Sequence, residues 1–112
     1  MYKDNVSNIP LEEVNMKGAK KVKIQWLISK ERGGAPNFAM RRFILEPGGE
    51  IPVHNHNYEH EIFVLKGEGK IGVNSEEDYV KAGDFIYIPP NVPHWYKNTG
   101  SNVLIFLCII PL

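Results

Sequence analysis

Short runs rich in valine, isoleucine, phenylalanine and tyrosine recur along this chain about every ten residues. No stretch carries apolar side chains at the i, i+3, i+4, i+7 spacing of an amphipathic helix. The runs are VKIQWLIS (22–29), NFAMRRFIL (37–45), EIFVLKG (61–67), KIGVN (70–74), DYVKA (78–82), DFIYIP (84–89), HWYKN (94–98) and NVLIFLCII (102–110). Between them lie ERGGAPN, EPGGE, KGEGK, NSEED, AGD, PPNVP and NTGSN, which supply the Gly, Pro, Asn and Asp that turns require. The rhythm predicts an all-β sandwich or barrel.

Several of these runs, the last above all, are apolar on both faces. One face then lines the interior and the other is covered by a second sheet, a terminal strand or a partner subunit. Homo-oligomerisation is therefore an expectation. A chain of 112 residues is the size of one domain, able to bury ~65% of its unfolded surface, and no linker or repeat divides it. We read 1–112 as a single domain with residues 1–20 as an N-terminal strand or arm. Thirteen basic residues balance thirteen acidic ones, so the charge balance points to neither nucleic acid nor an anionic membrane surface. The cluster KGAKKVK (17–23) reads as a solvated strand or loop edge. No apolar run approaches the ~20 residues that span a bilayer, and the one cysteine, Cys108, cannot close an internal disulfide. A soluble, cytoplasmic protein acting on a small molecule is expected.

Chemistry concentrates in HNHNYEHE (54–61), which holds three of the four histidines. In extended backbone side chains alternate, so His54 and His56 share a face and Asn55 takes the other. Two imidazoles so placed can reach one metal ion. In HEIFVL the residues His60, Ile62 and Val64 share a face, opposite Glu61, Phe63 and Leu65. A turn or bulge is expected at 57–59, and one extra residue there exchanges His60 for Glu61. His94 stands in YIPPNVPHWY, where the prolines end one strand, Asn91 tolerates the left-handed region and the stiff corner delivers His94 at the start of the next strand.

The arrangement resembles the cupin family. Its first motif asks for glycine, five residues, His, one residue, His, three or four residues, Glu, six residues and glycine. Gly48, His54, His56 and Gly67 match, with His60 at the glutamate position. The second asks for glycine, five residues, proline, one residue, glycine, two residues, His, three residues and asparagine. Gly83, Pro89, His94 and Asn98 match, with Asn91 in place of the middle glycine. The segments APNFAMRRF, EPGG, HNHNYEHEIFVLKG and FLCIIP are similar to those of small bacterial and archaeal single-domain cupins that bind manganese through four histidines. The resemblance implies a double-stranded β-helix, or jelly-roll barrel, usually paired as a homodimer. It implies as metal ligands His54, His56, His60 and His94, with Glu61 outside.

Four neutral imidazoles leave the full double charge on an ion, where the common three-His-one-Glu set removes one unit. On an octahedral ion two positions then stay open to water, a bidentate substrate, dioxygen or peroxide. Manganese follows from the resemblance and iron is the second choice; zinc, nickel and copper also suit imidazole. Alternation groups Cys108 with Leu104, Phe106 and Ile110, so Cys108 and Phe106 are candidate pocket residues. Of Arg41 and Arg42, which face opposite ways, one can enter the barrel, and Arg41 is the candidate; of Trp95 and Tyr96 one can line the pocket, and Trp95 is the candidate. The expected activity is that of a metal-dependent oxygenase or dioxygenase. The alternatives are a metal-dependent isomerase or lyase, or a non-catalytic module binding metal and a small ligand.

Overall fold

A computed structural model describes all 112 residues. A 3-10 turn at Val6–Asn8 precedes nine strands: β1 (Glu12–Glu13), β2 (Lys20–Ile28), β3 (Phe38–His54), β4 (His60–Lys66), β5 (Glu68–Val73), β6 (Glu76–Lys81), β7 (Phe85–Ile88), β8 (His94–Lys97) and β9 (Leu104–Pro111). Every run read from the sequence is a strand, and none of the helices is long and apolar enough to cross a membrane. The strands form one antiparallel sheet in the order β6-β5-β8-β3-β9-β4-β7, with β2 also paired to β3 and β1 to β2. The sheet curls into a jelly-roll half-barrel, as the all-β expectation requires.

One turn expected from the sequence is absent. EPGGE lies inside β3, a strand of 17 residues. Gly48 has φ of 81°, and a Cβ on Gly49 would come within 2.6 Å of the Lys21 carbonyl oxygen and 2.8 Å of that of Glu46. Only glycine lets the backbones approach this closely. Opposite them β2 shifts register between Lys20 and Val22. The chain therefore bends here without leaving the sheet, and the first half of β3 pairs with β9 while its second half pairs with β8.

Alternation decides what the curl encloses. From β3 come Ala39, Phe43 and Leu45, from β4 Ile62 and Val64, and from β9 Leu104, Phe106, Cys108 and Ile110, all buried in one cluster with Val22, Ile24, Ile51, Ile71, Ile88 and Tyr96. Asn98 closes one end of it. Its side-chain amide donates to the carbonyls of Leu45 (2.9 Å) and Asn102 (2.8 Å), and its carbonyl accepts from the Gly100 amide at 2.9 Å. The opposite, outer face of β4, β7 and β9 leaves Phe63 and Phe85 exposed at 45% and 80%, directly paired to each other, with Leu107 on the far side of Phe63.

Candidate metal centre

His54 is the last residue of β3 and pairs with His94, the first of β8. A register shift between Ile51 and His54 lets both face inward and turns Val53 outward, where it is 66% exposed. The turn expected at 57–59 is the bend at Asn57 and Tyr58, after which β4 begins at His60, and the register shift lies earlier in the chain. From His54 to Val64 the even-numbered residues are buried or half-buried and the odd-numbered ones exposed, with no slip through the bend at Asn57 and Tyr58. His60 accordingly faces inward at 2% exposure, while Glu61 points out and Glu59 accepts a hydrogen bond from the Tyr87 hydroxyl at 2.7 Å. Asn91 has φ of 63°, and its amide donates to the His56 carbonyl at 2.7 Å. That bond ties the corner before His94 to the segment carrying the other histidines.

His54, His56 and His94 bring one ring nitrogen each to within 4.8 Å of one another. His60 stands beside them, its ring centroid 4.8 Å from that of His94 and 5.2 Å from that of His56. Nδ1 of His54 lies 2.7 Å from the Pro52 carbonyl and Nδ1 of His94 lies 2.9 Å from that of Val92. Each Nδ1 donates to its carbonyl, which leaves Nε2 as the lone-pair donor. Nε2 of His94 and Nδ1 of His60 are buried without any partner. Burial lowers the affinity of all four rings for protons, and the Arg41 charge adds to it, opposed at His54 and His94 by the hydrogen bonds to Pro52 and Val92; His60 falls to about 3 and His94 to about 4. Neutral imidazoles with orphaned nitrogens suit a divalent metal ion.

His54, His56 and His60 open onto a cavity of about 340 Å³, whose wall is mostly apolar, and His94 lies behind them. Arg41 and Cys108 line it; the Arg41 Nη2 donates to the Cys108 sulfur at 2.9 Å, and burial pushes the thiol up. Arg42 points the other way and donates to Gln25 at 2.7 Å. Phe106 lies in the core beneath the wall, between Phe43 (5.2 Å) and Tyr96 (5.1 Å), and does not line the cavity. Trp95 is also outside it. Parity along β8 sends His94 and Tyr96 inward and Trp95 outward, where the indole covers Gly72 of the paired strand and borders a separate surface depression with Glu68 and Lys70. Tyr96 is the aromatic residue that enters.

Two contributors escape a motif reading. Tyr58, in the presumed turn, faces the cavity beside His56. The segment from Glu12 to Met16 closes one side of it; β1 supplies only two residues, too short a strand to register as a periodic pattern. The only sequence signal for Tyr58 is its even parity with His54, His56 and His60.

The family model for the cupin domain matches residues 41–110. The chain belongs to the cupin family. This cupin is 36% identical over 100 residues to an oxalate-binding protein of Thermotoga maritima, a match covering 88% of this chain and 83% of that one. It spans about half the length of other curated relatives. Among solved structures it resembles the polyketide cyclase RemF from Streptomyces resistomycificus (TM-score 0.91, 30% identity, 99% of this chain and 79% of that one). It also resembles a predicted oxalate decarboxylase from Thermotoga maritima (TM-score 0.84, 35% identity, 96% of each chain). The shared barrel accounts for these likenesses; activity is a matter of the residues in the cavity.

Proposed function

We propose that this cupin is a metal-dependent oxygenase-type enzyme acting on a small organic substrate with dioxygen or peroxide. The observation that carries the reading is the convergence of histidines at the wall of a largely apolar cavity. His54, His56, His60 and His94 would hold the ion, manganese first and iron second. When bound, the ion supplies Lewis acidity and open positions for oxidant or substrate. The chain's residues do the rest. The carbonyls of Pro52 and Val92 fix two ring tautomers, Tyr58 braces His56, and Val14, Met16, Ile24, Trp26 and Ile51 keep water from the substrate body. Tyr96, whose phenol burial keeps protonated, is a hydrogen-bond donor among the residues lining the cavity. The lone buried cysteine, Cys108, fits a reducing compartment such as the cytoplasm.

A second reading, a non-catalytic binder of a metal and a small ligand, is favoured by the likeness to the oxalate-binding protein. Elemental analysis of protein purified without chelator or metal-affinity tag, coupled to oxygen uptake on an alkene and catechol panel, separates the two. Bound ion with substrate-dependent oxygen or peroxide consumption supports the enzyme. Bound ion with no turnover, and a small ligand co-purifying intact, supports the binder.

The outer apolar face carrying Phe63, Phe85 and Leu107 supports a homodimer, in which a second copy covers what the fold leaves exposed.

A further inference from the structure

Arg41 enters the cavity from β3 and is only 8% exposed, yet no carboxylate pairs with it. The chain's salt bridges join Lys20 to Glu50, Lys23 to Glu13 and Lys70 to Glu77. Glu13 at the cavity wall is thus engaged by Lys23, and Glu12 beside it is exposed. The polar contact Arg41 does make is to the Cys108 thiol, a neutral group. Its Nε is buried with no partner at all. A permanent cation withdrawn from water without a counter-ion is costly, and a fold that keeps one beside a cavity has prepared a place for an anion.

The shape of that place is restricted. The Arg41 guanidinium carbon lies 5.6 Å from the Trp26 ring centroid and 5.1 Å from that of Phe43, so aromatic rings flank the cation. Only Nη2 is engaged, by Cys108; Nε and Nη1 make no hydrogen bond, so the capacity left to the guanidinium lies along the edges of its plane. A planar carboxylate meets such an edge with two parallel hydrogen bonds. The apolar part of the wall, with Val14, Met16, Ile24 and Ile51, rewards an apolar or aromatic body. We propose that Arg41 is an anion subsite of the cavity, selecting a small organic monocarboxylate with an apolar or aromatic body. The inference rests on the cavity being the ligand site, as in the proposed function, but not on the ion.

Calorimetric titration of metal-free protein with benzoate and with benzamide, a neutral molecule of the same shape, tests it. Benzoate is expected to bind at least tenfold more tightly than benzamide. Arg41→Met should erase that preference by weakening benzoate at least tenfold and leaving benzamide unchanged, whereas Arg42→Met, on the outer face, should alter neither. Equal affinities in the native protein, no benzoate binding, or retained preference in Arg41→Met each overturns the proposal. If Arg41→Met does not fold, Arg41→Lys keeps a charge in the cavity and removes the Nε donor; a tenfold loss of benzoate affinity with an unchanged circular dichroism spectrum supports the subsite, and unchanged affinity overturns it. Repeating the titration with manganese keeps the two readings apart. Benzoate preference in a protein that takes up no divalent ion leaves the subsite standing and removes the metal enzyme. Metal uptake with no benzoate preference does the reverse.

Discussion

The Tyr58 ring lies flat against the imidazole of His56, with centroids 4.8 Å apart and planes 4° from parallel. Tyr58 also approaches His60, at 5.2 Å. His54 and His94 are each oriented by a hydrogen bond from Nδ1 to a backbone carbonyl, but His56 makes no such bond, and stacking is what holds its plane. Residues that orient a ligating imidazole typically change metal affinity by 10- to 100-fold when removed. Tyr58→Ala should therefore weaken divalent-ion binding by roughly 10-fold, measured by competition with a fluorescent chelator, while Tyr58→Phe retains native affinity. Equal losses in the two variants would show that the hydroxyl, not the stack, matters.

His60→Ala should release the ion or bind it far more weakly, because it removes an inward imidazole at 2% exposure. Glu61→Gln, one residue away on the outer face, should leave metal content unchanged. Elemental analysis of both variants decides the matter, and the reverse pattern would mean an ordinary three-His-one-Glu site.

Acid should destabilise the metal-free protein from about pH 6.5 downward. His60 and His94 stay neutral in the fold down to about 3 and about 4, mainly through burial, whereas in the unfolded chain they take up protons near 6.5. Between those limits the unfolded state binds more protons, so stability is full above pH 6.5 and declines as pH falls toward 3. Urea midpoints of metal-free protein across pH 7.5 to 4 should fall steadily, and a His60→Asn variant should fall less steeply. A flat profile above pH 5 contradicts the buried, neutral assignment.

Asn98→Ala should cost about 2–3 kcal/mol. Asn98 is 1% exposed and satisfies two carbonyls and one amide, those of Leu45, Asn102 and Gly100, which alanine would leave without partners. For a chain of this size the melting temperature should drop by roughly 10 °C, read by differential scanning calorimetry. Asn98→Asp should also destabilise, since a carboxylate cannot donate to the two carbonyls.

A homodimer built on the outer face predicts a solution mass near twice 12.8 kDa by light scattering. Phe63→Lys, which puts a charge in the middle of the Phe85–Phe63–Leu107 row, should reduce it to that of a single chain without changing the circular dichroism spectrum. A native mass of one chain would leave the exposed phenylalanines unexplained.

The fold was readable because strand periodicity and turn residues agree along nearly the whole chain, and the burial of His60 was readable because Ile62 and Val64 share its parity. What escaped depended on pairing between distant segments. The bend at Gly48 and Gly49 stays within the sheet because Lys21 of β2 lies against it. A register shift at Ile51 to His54, besides the expected bend at 57–58, arises because β8 pairs there. Trp95 faces out because a glycine on β5 makes room for it. The anticipated pocket role of Phe106 gave way to core packing between two rings contributed by other strands. Which arginine enters the barrel likewise followed from the pairing of β3 with β9, which sets Arg41 against Cys108.

The unbroken parity from His54 to Val64 also bears on how such a site can evolve. Because Ile62 and Val64 pin β4 in the interior, an insertion or deletion around Asn57 would be absorbed by the bend, and Glu61 would stay outside. Descendants of this chain could exchange the fourth imidazole for a carboxylate only by changing the codon at position 60. The charge presented to a bound ion would then be inherited as a point mutation, insulated from drift in loop length.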